Sequence, residues 1–279
     1  LHTIFFGLLS ALTWGASDFT GGMVSRRTGA LRAVLFAEAF GLAVLLGIVA
    51  IFGEPLIHLK DFLWSALAGT VGSLGLLFLY HALATGQMSL AAPVSAVTAA
   101  ALPILAGSFL AGLPQPATLL GFLLALPAIW LISQSQSGSS SQPLRLAGLG
   151  LPLLSGLGFG LYFIFMNQGS QEALLWPMIA SRAAGTITIA LILSFKRERW
   201  LPQSTLWPLF LLNACLDVGG NAFFILAGQA GRLDVAAVLG SLYPALTVLL
   251  AWLLLRERIA PRQLLGILVA LVAIALMTI

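Results

Sequence analysis

Ten long apolar runs follow one another along this chain, at roughly 3–22, 33–52, 62–84, 89–111, 117–133, 147–167, 174–194, 205–227, 234–255 and 262–279. A bilayer core about 30 Å thick is crossed by roughly 20 helical residues, so each run has the length of a transmembrane helix. In lipid every backbone amide needs a partner inside the protein, which selects helices for such runs. Composition agrees. Apolar residues make up 59% of the 279 and charged residues only 8%, against about 25% charged in soluble domains. So few polar groups cannot cover a water-facing surface of this size. The expected fold class is an all-α membrane protein with ten transmembrane helices.

The sequence also repeats itself. GFLLALPAIWLIS at 121–133 returns 145 positions later as GILVALVAIALMT at 266–278, identical at seven of thirteen positions. The same offset matches Ser10, Leu12 and Gly15 to Ser155, Leu157 and Gly160, and Phe78, Ala82 and Gly86 to Phe223, Ala227 and Gly231. Chance recurrence of Leu, Ala and Gly would give matches at many offsets without consistent span boundaries. Between the halves lies SQSQSGSSSQPLR, a polar low-complexity run that reads as a flexible linker. The expected organisation is a first five-helix repeat at 1–133, a Ser/Gln-rich linker at 134–146 and a second repeat at 147–279. Five crossings leave the chain on the opposite side, so the second repeat enters upside down. Inverted-topology repeats of this kind build many secondary transporters, with the substrate site near the midplane between them.

WGASDF (14–19), GQMSLAAPVSAV (86–97), its partner GRLDVAAVLGSLYP (231–244) and the twin endings PATLLGFLLALPAI and PRQLLGILVALVAI resemble the EamA branch of the drug/metabolite transporter superfamily. The resemblance covers nearly the whole chain. It implies a ten-helix carrier of small metabolites, often an exporter, with no single substrate. Members commonly carry a glutamate after the fourth helix of each half; Glu257 supplies one, whereas AGLPQP in the first half has none.

Net charge is +4, and the basic residues cluster between hydrophobic runs: Arg26/Arg27/Arg32, Lys196/Arg197/Arg199 and Arg256/Arg258/Arg262. This is the pattern of cytoplasmic loops rather than of a nucleic-acid surface, so no nucleic-acid partner is expected. Loops after odd-numbered spans hold ten Lys and Arg, and the other side holds Lys60 and Arg232. The count puts both termini outside, while the resemblance implies them inside. The first run has neither a basic leading segment nor a small-residue cleavage site, so no secretory signal is expected. The location expected is a bacterial plasma (inner) membrane, as a multi-pass protein.

Ionisable groups inside spans are costly and by default functional candidates. Arg182 and Asp217 fall at one level near mid-membrane, on consecutive antiparallel helices. Asn213, Asp217 and Asn221 share one helix face by their spacing of four. Two readings stay open for the pair: a buried clamp between helices, or a substrate anchor in which the guanidinium takes a carboxylate or phosphate and Asp217 an amine or proton. Trp14, Tyr80, Tyr162 and Tyr243, with Phe159 and Phe163, are candidates for an aromatic wall. Asp18 and Glu38 come out about 6–8 Å from the basic-rich face, with His81 near it. They are candidates for coupling or gating, against an interfacial role beside Arg26 and Arg27. Pro93 and Pro103 in span four and Pro244 in span nine are read as interrupting equivalent helices, which marks gates or sites in transporters. Gly69, Gly72 and Gly75, and the Gly156/Gly160 pair, are read as close-packing surfaces.

Three function classes compete. A secondary carrier for small metabolites, such as amino acids or related amphipathic compounds, fits the inverted halves and midplane charges. It would work by alternating access around a site between the repeats. A non-transporting receptor or assembly subunit is the alternative, though short loops leave it little recognition surface. An intramembrane enzyme comes last: His2, His58 and His81 are scattered, and neither HExxH nor GxSxG occurs. No P-loop is present, no metal or cofactor is expected, and the lone Cys215 excludes an internal disulfide. Expected partners are a small-molecule substrate and the lipid bilayer, with a monomer as the working state and a dimer as the alternative.

Overall fold

A computed structural model describes residues 1–84, 88–110, 112–133, 150–196, 206–255 and 260–277. Among them the order is α1 (His2–Thr28), α2 (Ala30–Phe52), α3 (Leu59–Ala84), α4 (Met88–Leu110), α5 (Pro116–Ser133), α6 (Gly150–Gly169), α7 (Leu175–Phe195), α8 (Trp207–Gln229), α9 (Leu233–Gly240), α10 (Tyr243–Leu255) and α11 (Pro261–Met277). Ten spans result, because α9 and α10 are two pieces of the ninth. Five helices are long and apolar enough to cross a membrane by length and composition alone: Ala30–Phe52, Leu59–Ala82, Gly150–Gly169, Leu175–Phe195 and Trp207–Gln229. The Ser/Gln-rich run at 134–146, Gly86 and Glu257 lie outside the described residues.

Local chemistry sets the helix ends. Gly29 closes α1 with φ 87° and Gly53 closes α2 with φ 70°, backbone conformations that only glycine adopts without strain. Arg26 and Arg27 occupy the last turn of α1, where cations complement the helix dipole. Pro116 and Pro261 open α5 and α11, at equivalent places in the repeat and in the first turn, where an N–H has no intrahelical acceptor.

Pro244 explains the break in the ninth span. It supplies no N–H to the Gly240 carbonyl, and its ring opposes that carbonyl. So α9 stops at Gly240, and Leu242 N–H turns instead to Leu239 O at 3.1 Å. The fourth span departs from the sequence expectation: α4 runs unbroken from Met88 to Leu110, through Pro93 and Pro103. Pro93 is the sixth residue of α4, just past the first turn in which a proline removes no bond; its side chain is outside the described residues. Pro244 has Ala99 as its counterpart under the offset, so the interruption belongs to one repeat only.

Packing obeys the repeat. The offset maps α1, α2, α3, α4 and α5 onto α6, α7, α8, α9 with α10, and α11. The packing of α3 on α6 then becomes that of α8 on α1, α3 on α7 becomes α8 on α2, and α4 on α6 becomes α9 and α10 on α1; all are observed. The pairs α2–α7, α4–α9 and α5–α11 map onto themselves and therefore straddle the pseudo-two-fold axis. Two inverted five-helix repeats thus interlock along their length. Small residues permit the close approaches: Gly75 of α3 abuts Gly158 of α6, Gly69 faces the Ser181 carbonyl of α7, and Gly156 and Gly160 lie against α4. The Ser10 hydroxyl donates to Gly220 O at 2.9 Å across α1 and α8, while Ser155, its equivalent, is 2.8 Å from Ser95 across α6 and α4. Large apolar side chains such as Phe5, Phe109, Leu123, Ile187 and Leu268 face outward, as a lipid-facing surface requires.

One loop joins the repeats by polar contacts. After α2, Glu54 accepts hydrogen bonds from Leu174, Leu175 and Trp176 N–H at 2.8–2.9 Å, and the Trp176 indole donates to the Glu54 carbonyl at 2.9 Å. A carboxylate here satisfies the unpaired amides of the α7 N-terminus. On the same side Arg232 binds Asp234 at 2.7 Å and the Gly112 carbonyl at 3.0 Å. The Asp234 hydrogen bonds hold Arg232 above its ordinary pKa.

Candidate functional site

Four charged residues meet in the middle of the bundle. Asp18 is the seventeenth of 27 residues in α1, Glu38 the ninth of 23 in α2, Arg182 the eighth of 21 in α7 and Asp217 the eleventh of 23 in α8. Arg182 is the hub. Its Nη1 donates to Glu38 Oε2 at 3.0 Å and its Nη2 donates to Asp217 Oδ2. Arg182 and Glu38 are 7% and 9% exposed at the side chain, whereas Asp217 keeps 22%. A guanidinium at this depth is tolerable only when paired, and here both terminal nitrogens are engaged.

Glycines make room for the pair reciprocally. Gly41, one turn along α2 from Glu38, faces the Arg182 side chain; Gly185, one turn along α7 from Arg182, faces the Glu38 carboxylate. The two helices belong to a self-paired contact, so the ion pair lies across the pseudo-two-fold axis.

The network continues from Asp217. Asn221 Nδ2 donates to Asp217 O at 2.7 Å and to its Oδ2 at 3.1 Å, and the Tyr162 hydroxyl donates to Asn221 Oδ1. Beside it opens a cavity of about 700 Å³ including its mouth, lined by Asp18, Glu38, Arg182 and Asp217 and walled by Trp14, Phe159, Tyr162, Phe163 and Tyr243. An apolar wall with few polar groups is the usual chemistry of small-molecule sites. Trp14 stacks on Phe163 with centroids 5.6 Å apart and is seated on Gly220. The break between α9 and α10 puts Tyr243, beside Pro244, in the wall. Among the described residues no group of three His, Cys, Asp or Glu side chains is placed to hold a metal.

Several sequence expectations land elsewhere. Asp18 and Glu38 are not near the basic-rich face. α1 extends to Thr28 rather than 22 and α2 begins at Ala30 rather than 33, which puts them about 15 and 12 Å from those helix ends. Glu38 accordingly pairs with Arg182, not with the interfacial arginines. Asn213 is on the expected helix, but its amide donates to Ser17 O at 2.7 Å, Ser17 Oγ at 3.0 Å and Thr20 Oγ1 at 3.2 Å, fastening α8 to α1. Tyr80 is buried over Gly21 beside Asn213, and neither side chain is in the cavity wall. His81 is exposed and outside it too. Sequence reasoning missed Gly41 and Gly185, although EAFG at 38–41 and RAAG at 182–185 share a charge-x-x-Gly pattern. It missed the Glu54 cap, which no local pattern announces.

The family model for the EamA-like transporter family matches residues 1–134 and, separately, residues 146–279. This chain belongs to the EamA-like transporter family. Each match is one five-helix unit, so the family is present twice, in agreement with the interlocked repeats. A similar solved chain, described only as the crystal structure of a protein, superposes with a TM-score of 0.80 over 99% of this chain and 98% of its own, at 16% identity; at that identity the likeness concerns the fold. No curated protein matches the sequence. EamA membership makes this a multi-pass membrane protein of drug/metabolite transporter type, from a family of transporters rather than enzymes.

Proposed function

We propose that this chain is a secondary carrier for small amphipathic metabolites, amino acids or related compounds, acting as an exporter in a bacterial plasma membrane. The observation that carries the reading is a cavity in the middle of the bundle, at the seam of two inverted repeats, with an ion pair across their pseudo-symmetry axis. In alternating access the repeats rock so that the cavity meets one side and then the other. Here Glu38, Arg182 and Asp217 tie α2, α7 and α8 at the pivot, the break before Tyr243 lets half a span move alone, and the Glu54 and Arg232 contacts latch one end. Differential interaction with the two states drives the change, and a ligand touching Asp217 or Asn221 reaches the pivot directly.

The test is counterflow into proteoliposomes of a labelled mixture of amino acids and their amines, for the native protein, Asp217→Asn and Arg182→Ala, with folding checked by gel filtration. The native protein is expected to move at least one compound well above protein-free vesicles, and folded variants to lose affinity or rate. A native protein that moves nothing defeats the carrier reading. Unchanged affinity and rate in both variants would remove the charged network from binding and gating.

A further inference from the structure

The charges in the cavity do not balance. Three carboxylates, Asp18, Glu38 and Asp217, share its wall with one guanidinium. Arg182 is committed to Glu38 and Asp217 through its two terminal nitrogens, and Asp18 forms no ion pair among the described residues. A carboxylate or phosphate ligand would therefore find no open guanidinium fork and would enter a site already in negative excess. A neutral ligand would leave that excess uncompensated. Protons or a bound cation would offset it, and the rest of the wall bears on which. Apolar and aromatic walls favour a protonated carboxylate by removing its water, but they also attract a positive charge within about 6 Å of a ring centroid, an attraction that protons on the carboxylates leave unused. Trp14 and Asp18 are one turn apart on the same face of α1, and both line the cavity. A cation at Asp18 thus meets a carboxylate and an indole from one helix.

We propose, on the carrier reading above, that the substrate is an organic cation: an amine with an apolar body, its charge at Asp18 and its body against Trp14, Phe159, Tyr162 and Phe163. The expectation that Arg182 anchors an anionic group gives way to Arg182 as the pivot that holds Glu38 and Asp217 in place, with Asp18 as the residue that selects charge.

Three probes with one aromatic body separate the possibilities: phenethylamine (cation), phenylalanine (zwitterion) and phenylacetate (anion). Binding to the purified full-length protein is read by calorimetry and by ligand-induced thermal stabilisation. Phenethylamine is expected to bind at least about tenfold more tightly than the other two, the scale of one desolvated charge contact. Asp18→Asn should erase the preference, and Asp18→Glu should restore part of it. Ranking the native protein's probes needs no variant to fold. Equal or tighter binding of phenylalanine or phenylacetate overturns the proposal, as does an unchanged amine preference in folded Asp18→Asn, or no binding by any probe. Counterflow of any compound in the mixture would leave the carrier reading standing in those cases, so the two failures are distinguishable.

Discussion

At the scale of single residues, Arg182 is a buried cation held by two acids, and the two are not equivalent. Removing the cation strands two carboxylates in the bilayer interior, which costs about 3–5 kcal/mol for an uncompensated buried pair. Arg182→Ala should therefore lower thermal stability in detergent by that order, while Glu38→Gln should cost clearly less because Asp217 still neutralises the guanidinium. Equal losses in the two variants would mean that Arg182 is not the hub. Much of this group was legible. Helical depth alone brought Arg182 level with Asp217, because both lie well inside unmistakable spans. Glu38 escaped because its depth was counted from the edge of the hydropathy run, and the polar GGMVSRRT stretch and Gly29 hid where α1 and α2 meet. The reciprocal glycines escaped because EAFG and RAAG are 144 residues apart rather than 145. Asn213 shows the opposite limit: spacing gives the face of a helix, but not whether that face meets a cavity or the hydroxyls of a neighbour.

At the scale of elements, the broken ninth span and the capped α7 are the two places where the structure stores freedom and restraint. Pro244→Ala would restore the missing N–H and favour a continuous helix through Gly240–Tyr243. The expected result is a folded protein whose counterflow rate falls several-fold while ligand affinity changes little; an unchanged rate would show that the break is no hinge. Glu54→Gln keeps the shape of the cap but removes its charge, so it should weaken the α7 N-terminus by about 1 kcal/mol. Hydrogen exchange should quicken at Leu174, Leu175 and Trp176 and stay constant in the middle of α8. Uniform acceleration across the bundle would instead mean that Glu54 supports the whole fold. Proline announced the broken ninth span and misled about the fourth: Pro103 is accommodated inside α4, because a lipid-embedded helix can lose one bond when neighbours close around it. Nothing local announced Glu54, whose partners lie about 120 residues away.

At the scale of the molecule, the largest helix-to-helix contacts recur under exchange of the two repeats, α3–α6 as α8–α1 and α4–α6 as α9 and α10 on α1, but the charges do not. Asp217 has Gly72 as its counterpart and Asp18 has Phe163. A symmetric frame supplies two states of similar shape, and the asymmetric charges give the cavity its chemistry. Hydropathy and the odd span count made the frame readable from the sequence; the chemistry required knowing which faces turn inward. Alternating access requires that one cavity be reached in turn from both sides. Ser73 lines it near the middle of α3, so Ser73→Cys in a Cys215→Ser background gives a single thiol at the site. A small membrane-impermeant methanethiosulfonate, applied separately to each face of sealed proteoliposomes of known orientation, should modify that thiol from both faces, and bound substrate should slow both reactions. Modification from one face only, or from neither, would contradict alternating access.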